Sequence, residues 1–267
     1  MVIYSVGKGQ KMIKIGTSGY SFPDWVGVFY PQGIEKGKML DFYSKHFNTV
    51  EINSTYYRIP HPSVFYRMAE KTPEDFEFIV KTHKDITHTR ENIRDSAEKL
   101  KQSIQPLAET SKMQGFLAQF PWAFKKSKLN LDYLAKCKNL FSDFPLFVEF
   151  RHKSWIDDEV FEFLKNENIG LCCVDEPQIE GLVPAIAEAT TKTGYVRFHG
   201  RNKAGWWQGM KDRYNYLYSE DQLKEWLEKI RGIRKQTEKL FLFFNNCPQA
   251  QAAENAQMMK KLLEEEK

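Results

Sequence analysis

Eight short apolar, β-branched or aromatic runs recur along the chain: MIKIGTS from Met12, NTVEINS from Asn48, FEFIVKTH from Phe76, GFLAQFP from Gly115, LFVEFRH from Leu146, GLCCVDEP from Gly170, GYVRFHG from Gly194 and KLFLFFNN from Lys239. Each is strand-sized. Between most of them, apolar residues return three and four positions apart, as in MLDFYSKHF, SVFYRMAEK, NIRDSAEKLKQSIQPLAE, LDYLAKCKNLF, DDEVFEFLKNE, SEDQLKEWLEKIRGI and QAQAAENAQMMKKLLEE. Strand and helix patterns in alternation predict a parallel sheet covered by helices. Eight such units predict an α/β protein folded as a single (β/α)8 TIM barrel rather than an open sheet. The sixth unit departs from the pattern, because PQIEGLVPAIAEATTKT carries two prolines and no clean amphipathic stripe. An irregular crossover is expected after strand six. Local signals mark several helix starts: Asp157 and Asp158 before the fifth helix, a Ser219–Gln222 capping box, and Pro248 in a first turn behind Asn246. No linker or repeat interrupts the pattern, so residues 12–267 are read as one domain and residues 1–11 as an N-terminal extension.

Side chains alternate faces along a strand, so the parity of each run sorts its residues into two sets. Val148 and Phe150 oppose Glu149 and Arg151; Val50 and Ile52 oppose Glu51 and Asn53; Phe78 and Val80 oppose Lys81 and His83; Ala118 and Phe120 oppose Gln119; Val174 opposes Asp175; Val196 and Phe198 oppose Arg197 and His199. The eighth run is apolar until Asn245. If the apolar set packs on the helices, the polar set forms a ring inside the barrel near the strand C-termini, where barrels of this kind carry their sites. Burying so many ionisable groups requires them to be paired, solvated or bound to a ligand.

Composition changes this picture little. With 267 residues, 42% hydrophobic and 28% charged, the chain can bury a large core, and its net charge of +4 leans toward anionic partners without the basic blocks of a nucleic-acid coat. The apolar runs are too short for a membrane span, and the first residues have no signal-peptide pattern, so a cytoplasmic protein without membrane association is expected. Cys137, Cys172, Cys173 and Cys247 form no C-x-x-C pair and read as reduced thiols. Oligomeric state leaves no mark.

Seven segments together resemble one family: IGTSGYSFPDW at 15–25, VEINSTYY at 50–57, AQFP at 118–121, VEFRHKSW at 148–155, VDEP at 174–177, RFHGR at 197–201 and FFNNC at 243–247. The chain resembles the YecE-like family, a domain of unknown function numbered seventy-two. The resemblance implies a TIM barrel, akin to the divergent barrels that include endonuclease IV and xylose isomerase, and implies no established reaction.

Three chemistries remain to be weighed. His83, His199, Glu149, Asp175 and Glu51 have metal-ligand chemistry, as an endonuclease IV-like enzyme would need, but the bases of the ring repel a cation; no cofactor is expected, though the donors would admit a divalent metal. Glycoside hydrolysis needs paired carboxylates, and the fourth and seventh strands offer Gln119, Arg197 and His199 instead. An anionic, phosphate-bearing small molecule or nucleic acid fits better. Arg197, Arg201, Asn245, Asn246 and the first N–H groups of the last helix are expected to converge on it. Asn53, Tyr56, Gln119, Arg151, Trp155 and Trp25 complete the expected binding set, within a wider group of loop aromatics suited to stacking on bases or sugars. The leading expectation is a hydrolase or lyase in which Glu149 is general acid or base, Lys81, Arg197 and His199 tune or stabilise charge, and Glu51 and Asp175 supply further acids. The alternatives are a binding protein without turnover and a Glu149 that is only a counter-ion.

Overall fold

All eight runs are strands in the computed structural model, which describes residues 12–265. They are β1 (Met12–Thr17), β2 (Thr49–Ile52), β3 (Glu77–Lys81), β4 (Met113–Gln119), β5 (Leu146–Glu149), β6 (Gly170–Asp175), β7 (Thr193–Phe198) and β8 (Lys239–Phe244). Every pairing is parallel, and the sheet runs β1-β8-β7-β6-β5-β4-β3-β2. A bridge between Ser18 and Glu51 joins its two ends into a nearly closed barrel. The helices are α1 (Met39–Tyr43), α2 (Pro62–Glu70), α3 (Lys84–Thr87), α4 (Ile93–Glu109), α5 (Lys128–Leu140), α6 (Asp158–Asn166), α7 (Met210–Arg213), α8 (Glu220–Lys224), α9 (Leu227–Gln236) and α10 (Gln251–Glu265). None is long and apolar enough to cross a membrane. The expected extension at 1–11 lies outside the described residues.

The local signals act as their chemistry dictates. Asp157 accepts the Glu159 N–H at the start of α6, and Ser219 and Gln222 close a reciprocal capping box on α8. Residues 176–192 cross from β6 to β7 without a helix, as the lack of an amphipathic stripe there predicts. The continuous pattern SEDQLKEWLEKIRGI is instead broken at Glu225 and Trp226 into α8 and α9. Trp226 is fully buried there against Phe198.

Two apolar layers follow from strand parity. One lies between strands and helices, where Phe116 packs on Phe141 and Phe198 stacks on Phe244. The other fills the barrel below the mouth, where Phe147, Phe241 and Phe243 surround Tyr195. Beyond the strand ends, Phe120, Phe124, Trp155 and Phe150 form a continuous stack with centroids 4.1, 5.2 and 4.3 Å apart. That stack locks the loops after β4 and β5 together.

Barrel closure depends on one missing side chain. At Gly16 an added Cβ would overlap the backbone carbonyl of Thr49, so only glycine lets β1 approach β2. Gly16→Ala should therefore cost about 1–3 kcal/mol in a urea melt. Gly232→Ala, in open space on α9, should instead add roughly 0.5–1 kcal/mol through helix propensity. Equal midpoints for the two variants would contradict this account of closure.

Candidate functional site

Glu149, the last residue of β5, is wholly buried. Its Oε2 accepts from Arg197 Nη1 at 2.6 Å and lies 3.8 Å from Cys172 Sγ; its Oε1 forms an ion pair with Arg151 Nη2 at 2.7 Å and accepts from His199 Nε2 at 3.2 Å. Four groups thus surround its two oxygens, neither of which is exposed. Burial pushes this carboxyl up, but the Arg151 and Arg197 guanidiniums outweigh it and hold Glu149 well below the usual carboxylate range. Arg197 turns Nη2 to Glu51 at 2.7 Å, and Glu51 also accepts from Asn53 Nδ2 at 2.9 Å and from the Tyr195 hydroxyl. Strands β2, β5 and β7 are not neighbours in the sheet. Bonds among them must cross the barrel interior, which places Glu51, Glu149 and Arg197 inward as parity predicts.

His199 completes this frame. Asn245 Nδ2 lies 3.0 Å from its Nδ1, so the ring proton sits on Nε2 and is donated to Glu149. Burial and the positive charge of Arg151 push the imidazole down to about 3, so it is neutral at physiological pH. Arg151 also binds Glu176 at 2.9 Å, while burial pushes the Glu176 carboxyl up to about 7.

Above this frame opens a cavity of about 590 Å³, within the range of small-molecule sites. Strand ends contribute Ser18, Asn53, Lys81, Gln119, Arg151, Arg197 and Asn245 to its lining; loops contribute Phe22, Tyr56, Tyr57, His88, Trp122, Trp206, Trp207 and Tyr214, and the end of α7 contributes Arg213. Lys81 differs from the other strand-end cations. Its Nζ donates to Gln119 Oε1 at 2.9 Å and lies 4.8 Å from the Tyr56 ring centre, and among the described residues it forms no ion pair with a carboxylate. Burial and then Arg197 push its ammonium down to about 7, against the partial opposition of Glu149 and Glu51.

Several expected residues sit elsewhere. Asp175 is not part of the ring: it accepts from Tyr218, Trp226 and both Nε and Nη2 of Arg201, so it faces the helix layer. Cys172 touches Glu149 from inside the barrel, so the inward member of the VDEP end is Glu176. The apolar run GLCCV offers no contrast between faces, and of two adjacent acids parity alone cannot choose the inner one. Arg201, expected on an anion, is held by Asp175 at 2.8 Å and Glu225 at 2.9 Å. Asn246 is buried and donates to the Tyr216 carbonyl and Asn255, tying the 200–218 segment to α10 rather than reaching a ligand. Neither Arg201 nor Asn246 lines the cavity described above. Trp25 donates to the Cys247 carbonyl and Trp155 to the Phe124 carbonyl; both are fully buried and act in packing, not in lining the cavity. His83 pairs with Asp85 at the start of α3, away from the ring. Glu51, Glu149 and His199 lie beneath the cavity rather than on its surface. His88, Arg213 and Tyr214 lie at or just beyond the ends of the one-turn helices α3 and α7, too short for periodicity to report direction.

Among the described residues, no group of three or more His, Cys, Asp or Glu side chains could hold a metal ion. Glu149 and His199 have the right chemistry but are bound to each other and to guanidiniums, a donor set that does not fit a cation. Nor, among the described residues, does a carboxylate pair line the cavity, as glycoside hydrolysis would require.

An eight-stranded parallel barrel with an ion-paired frame under an aromatic cavity at its C-terminal end defines a protein of the (β/α)8 class, with its site at the customary end. The family model described as a protein of unknown function, DUF72, matches residues 14–267, and the chain belongs to this family. It is 37% identical to the UPF0759 protein YunF of Bacillus subtilis over 95% of each chain, and 42% identical to the UPF0759 protein YecE of Escherichia coli over 29% of this chain and 26% of that one. The crystal structure of a DUF72 family protein from Thermotoga maritima superposes with a TM-score of 0.88 at 41% identity, covering 95% of this chain and 99% of that one.

Glu149→Gln should cost about 3–5 kcal/mol at neutral pH, because it leaves Arg151 and Arg197 buried without their shared anion. Since the folded carboxyl titrates below its unfolded value, that contribution is full above about pH 4 and fades as pH falls further. Denaturant melts of both proteins at pH 7 and pH 3 measure the gap, and a gap that does not narrow in acid contradicts the assignment. Arg201→Ala should cost about 1–3 kcal/mol by stranding Asp175. A melt unchanged from the native protein would mean that Asp175 does not need its guanidinium.

Proposed function

We propose that the barrel mouth is the active site of a lyase or hydrolase that works by proton transfer on a small anionic substrate of the sugar-phosphate or nucleotide kind, with Lys81 as the proton-transferring group. The observation that carries this reading is the state of Lys81. It lines the cavity, binds only the neutral Gln119 amide among its hydrogen-bond partners, and has an ammonium pushed down to about 7. An amine poised near the working pH is suited to both taking and returning a proton. Glu149 is unsuited to that task, being saturated by donors and held ionised, so its part here is to hold Arg151 and Arg197 in place.

The rest of the lining supports a substrate with a ring or sugar and a negative charge. Tyr56, Tyr57, Trp122, Trp206 and Trp207 offer faces for stacking. Arg213, which donates to the Trp206 carbonyl at 2.8 Å, brings to the lining a cation for which no carboxylate partner is found among the described residues. A cytoplasmic location accords with four free cysteines.

A passive anion binder and a proton-transfer enzyme respond oppositely to pH. If Lys81 takes a proton, turnover should rise as pH climbs through about 7, because the neutral amine is the active form. If it only attracts an anion, affinity should fall over the same interval. Turnover and binding measured from pH 5.5 to 8.5 on phosphorylated sugars, nucleotides and abasic DNA, for native protein and Lys81→Met, separate the two. Turnover that rises with pH and is at least 100-fold lower in the variant is expected; binding that weakens with pH, without turnover on any compound, overturns the enzyme reading.

A further inference from the structure

The cations that line the cavity are Lys81, Arg151, Arg197 and Arg213, with His88 beside them as an imidazole pushed down to about 4 by burial and by Lys81. Guanidiniums do not shed a proton in proteins, so of the four cations Lys81 alone can present a nucleophilic lone pair. Its surroundings prepare it for that. Glu149 and Glu51, which in a simple ion pair would keep an ammonium charged, are already engaged by Arg197 and Arg151. The Gln119 carbonyl oxygen fixes the position of Nζ without contributing a negative charge. We infer that Lys81 is a covalent, imine-forming site for a small anionic aldehyde or ketone. This rests on the proposed active site and narrows its substrate class to carbonyl compounds.

The step balances with solvent water as the source of the proton taken up at dehydration. The Nζ lone pair attacks the carbonyl carbon, and the C–O π electrons move onto oxygen. One proton passes from nitrogen to that oxygen, giving a carbinolamine. Protonation of the hydroxyl and loss of water then leave a cationic imine, which draws electrons from the adjacent carbon and assists cleavage or proton loss there. At neutral pH about half of the Lys81 amine is unprotonated for a value of about 7, whereas an ordinary lysine is neutral in fewer than about one in a thousand copies. The groups that set this balance are Arg197 on β7 and Arg151 after β5, which favour the free amine, and Glu149 on β5 and Glu51 on β2, which oppose it.

Reductive trapping tests the inference. The native protein is incubated at pH 7 with glyceraldehyde 3-phosphate and sodium cyanoborohydride, then analysed by intact mass and peptide mapping; unphosphorylated glyceraldehyde serves as the comparison. The expected result is a single adduct on Lys81, formed at least tenfold faster than on any other lysine, faster with the phosphorylated aldehyde, and rising with pH to a midpoint near 7 rather than near 10. Lys81→Met should lose that adduct while keeping the native circular dichroism spectrum. Should the variant not fold, the peptide map of the native protein decides alone. Labelling spread over exposed lysines with Lys81 unmodified overturns the imine. If turnover on a compound without a carbonyl still depends on Lys81 in that case, proton transfer survives without covalent attachment; if turnover is also absent from every compound tried, both readings fall.

Discussion

Charge burial inside a closed barrel is the constraint from which the rest of the structure follows. Glu51, Glu149 and Arg197 are each at most 1% exposed, and such charges are tolerated only when an opposite charge lies against them. Arg197 satisfies two carboxylates on two non-adjacent strands, and Glu149 satisfies two guanidiniums and an imidazole. The resulting chain of contacts ties β2, β5 and β7 across the barrel, and Arg151 extends it to Glu176 at the end of β6. Strand register serves the same end. Gln119 lies level with Glu149, and Ser18 with Glu51.

This frame sets the electrostatics of the mouth. Because the carboxylates are consumed by guanidiniums, Lys81 is left with an amide and an aromatic ring as neighbours, and its charge is disfavoured by burial and by Arg197. A second network stands outside the barrel and does different work. Asp175 gathers Tyr218, Trp226 and Arg201, and Asn246 and Asn255 clamp the backbone at Tyr216 and Tyr218. Together they pin down the segment that carries Trp206, Trp207, Arg213 and Tyr214 to the cavity. The inner network therefore fixes the polar side of the site, while the outer one holds up its aromatic wall.

The eight strands and most helices could be read from local pattern because burial on one face imposes a short period. Parity also placed Glu51, Lys81, Gln119, Glu149 and Arg197 inside, since each faces a contrasting apolar neighbour in its own strand. Where contrast was absent, the reading failed: the all-apolar GLCCV run gave Asp175 the place that Glu176 holds. Residue type misled at Arg201 and Asn246, both of which are spent on neighbours that come from other elements. The same holds for Trp25 and Trp155, whose indole N–H groups meet backbone carbonyls of loops distant in sequence.

Alternation along a strand is a property of a few consecutive residues, so the sequence by itself determined the barrel, the irregular passage after β6 and the inward turn of Glu51, Lys81, Glu149 and Arg197. What those charges do was decided by partners far away along the chain: Arg197 meets Glu51 across 146 positions and Glu149 across 48. Only closure of the barrel brings them together. A side chain's donors and acceptors can be counted from its type, but whether they are already used depends on which groups arrive beside it in three dimensions. For that reason tertiary structure alone distinguished the saturated Glu149 from Lys81, the amine left without a carboxylate partner in the cavity.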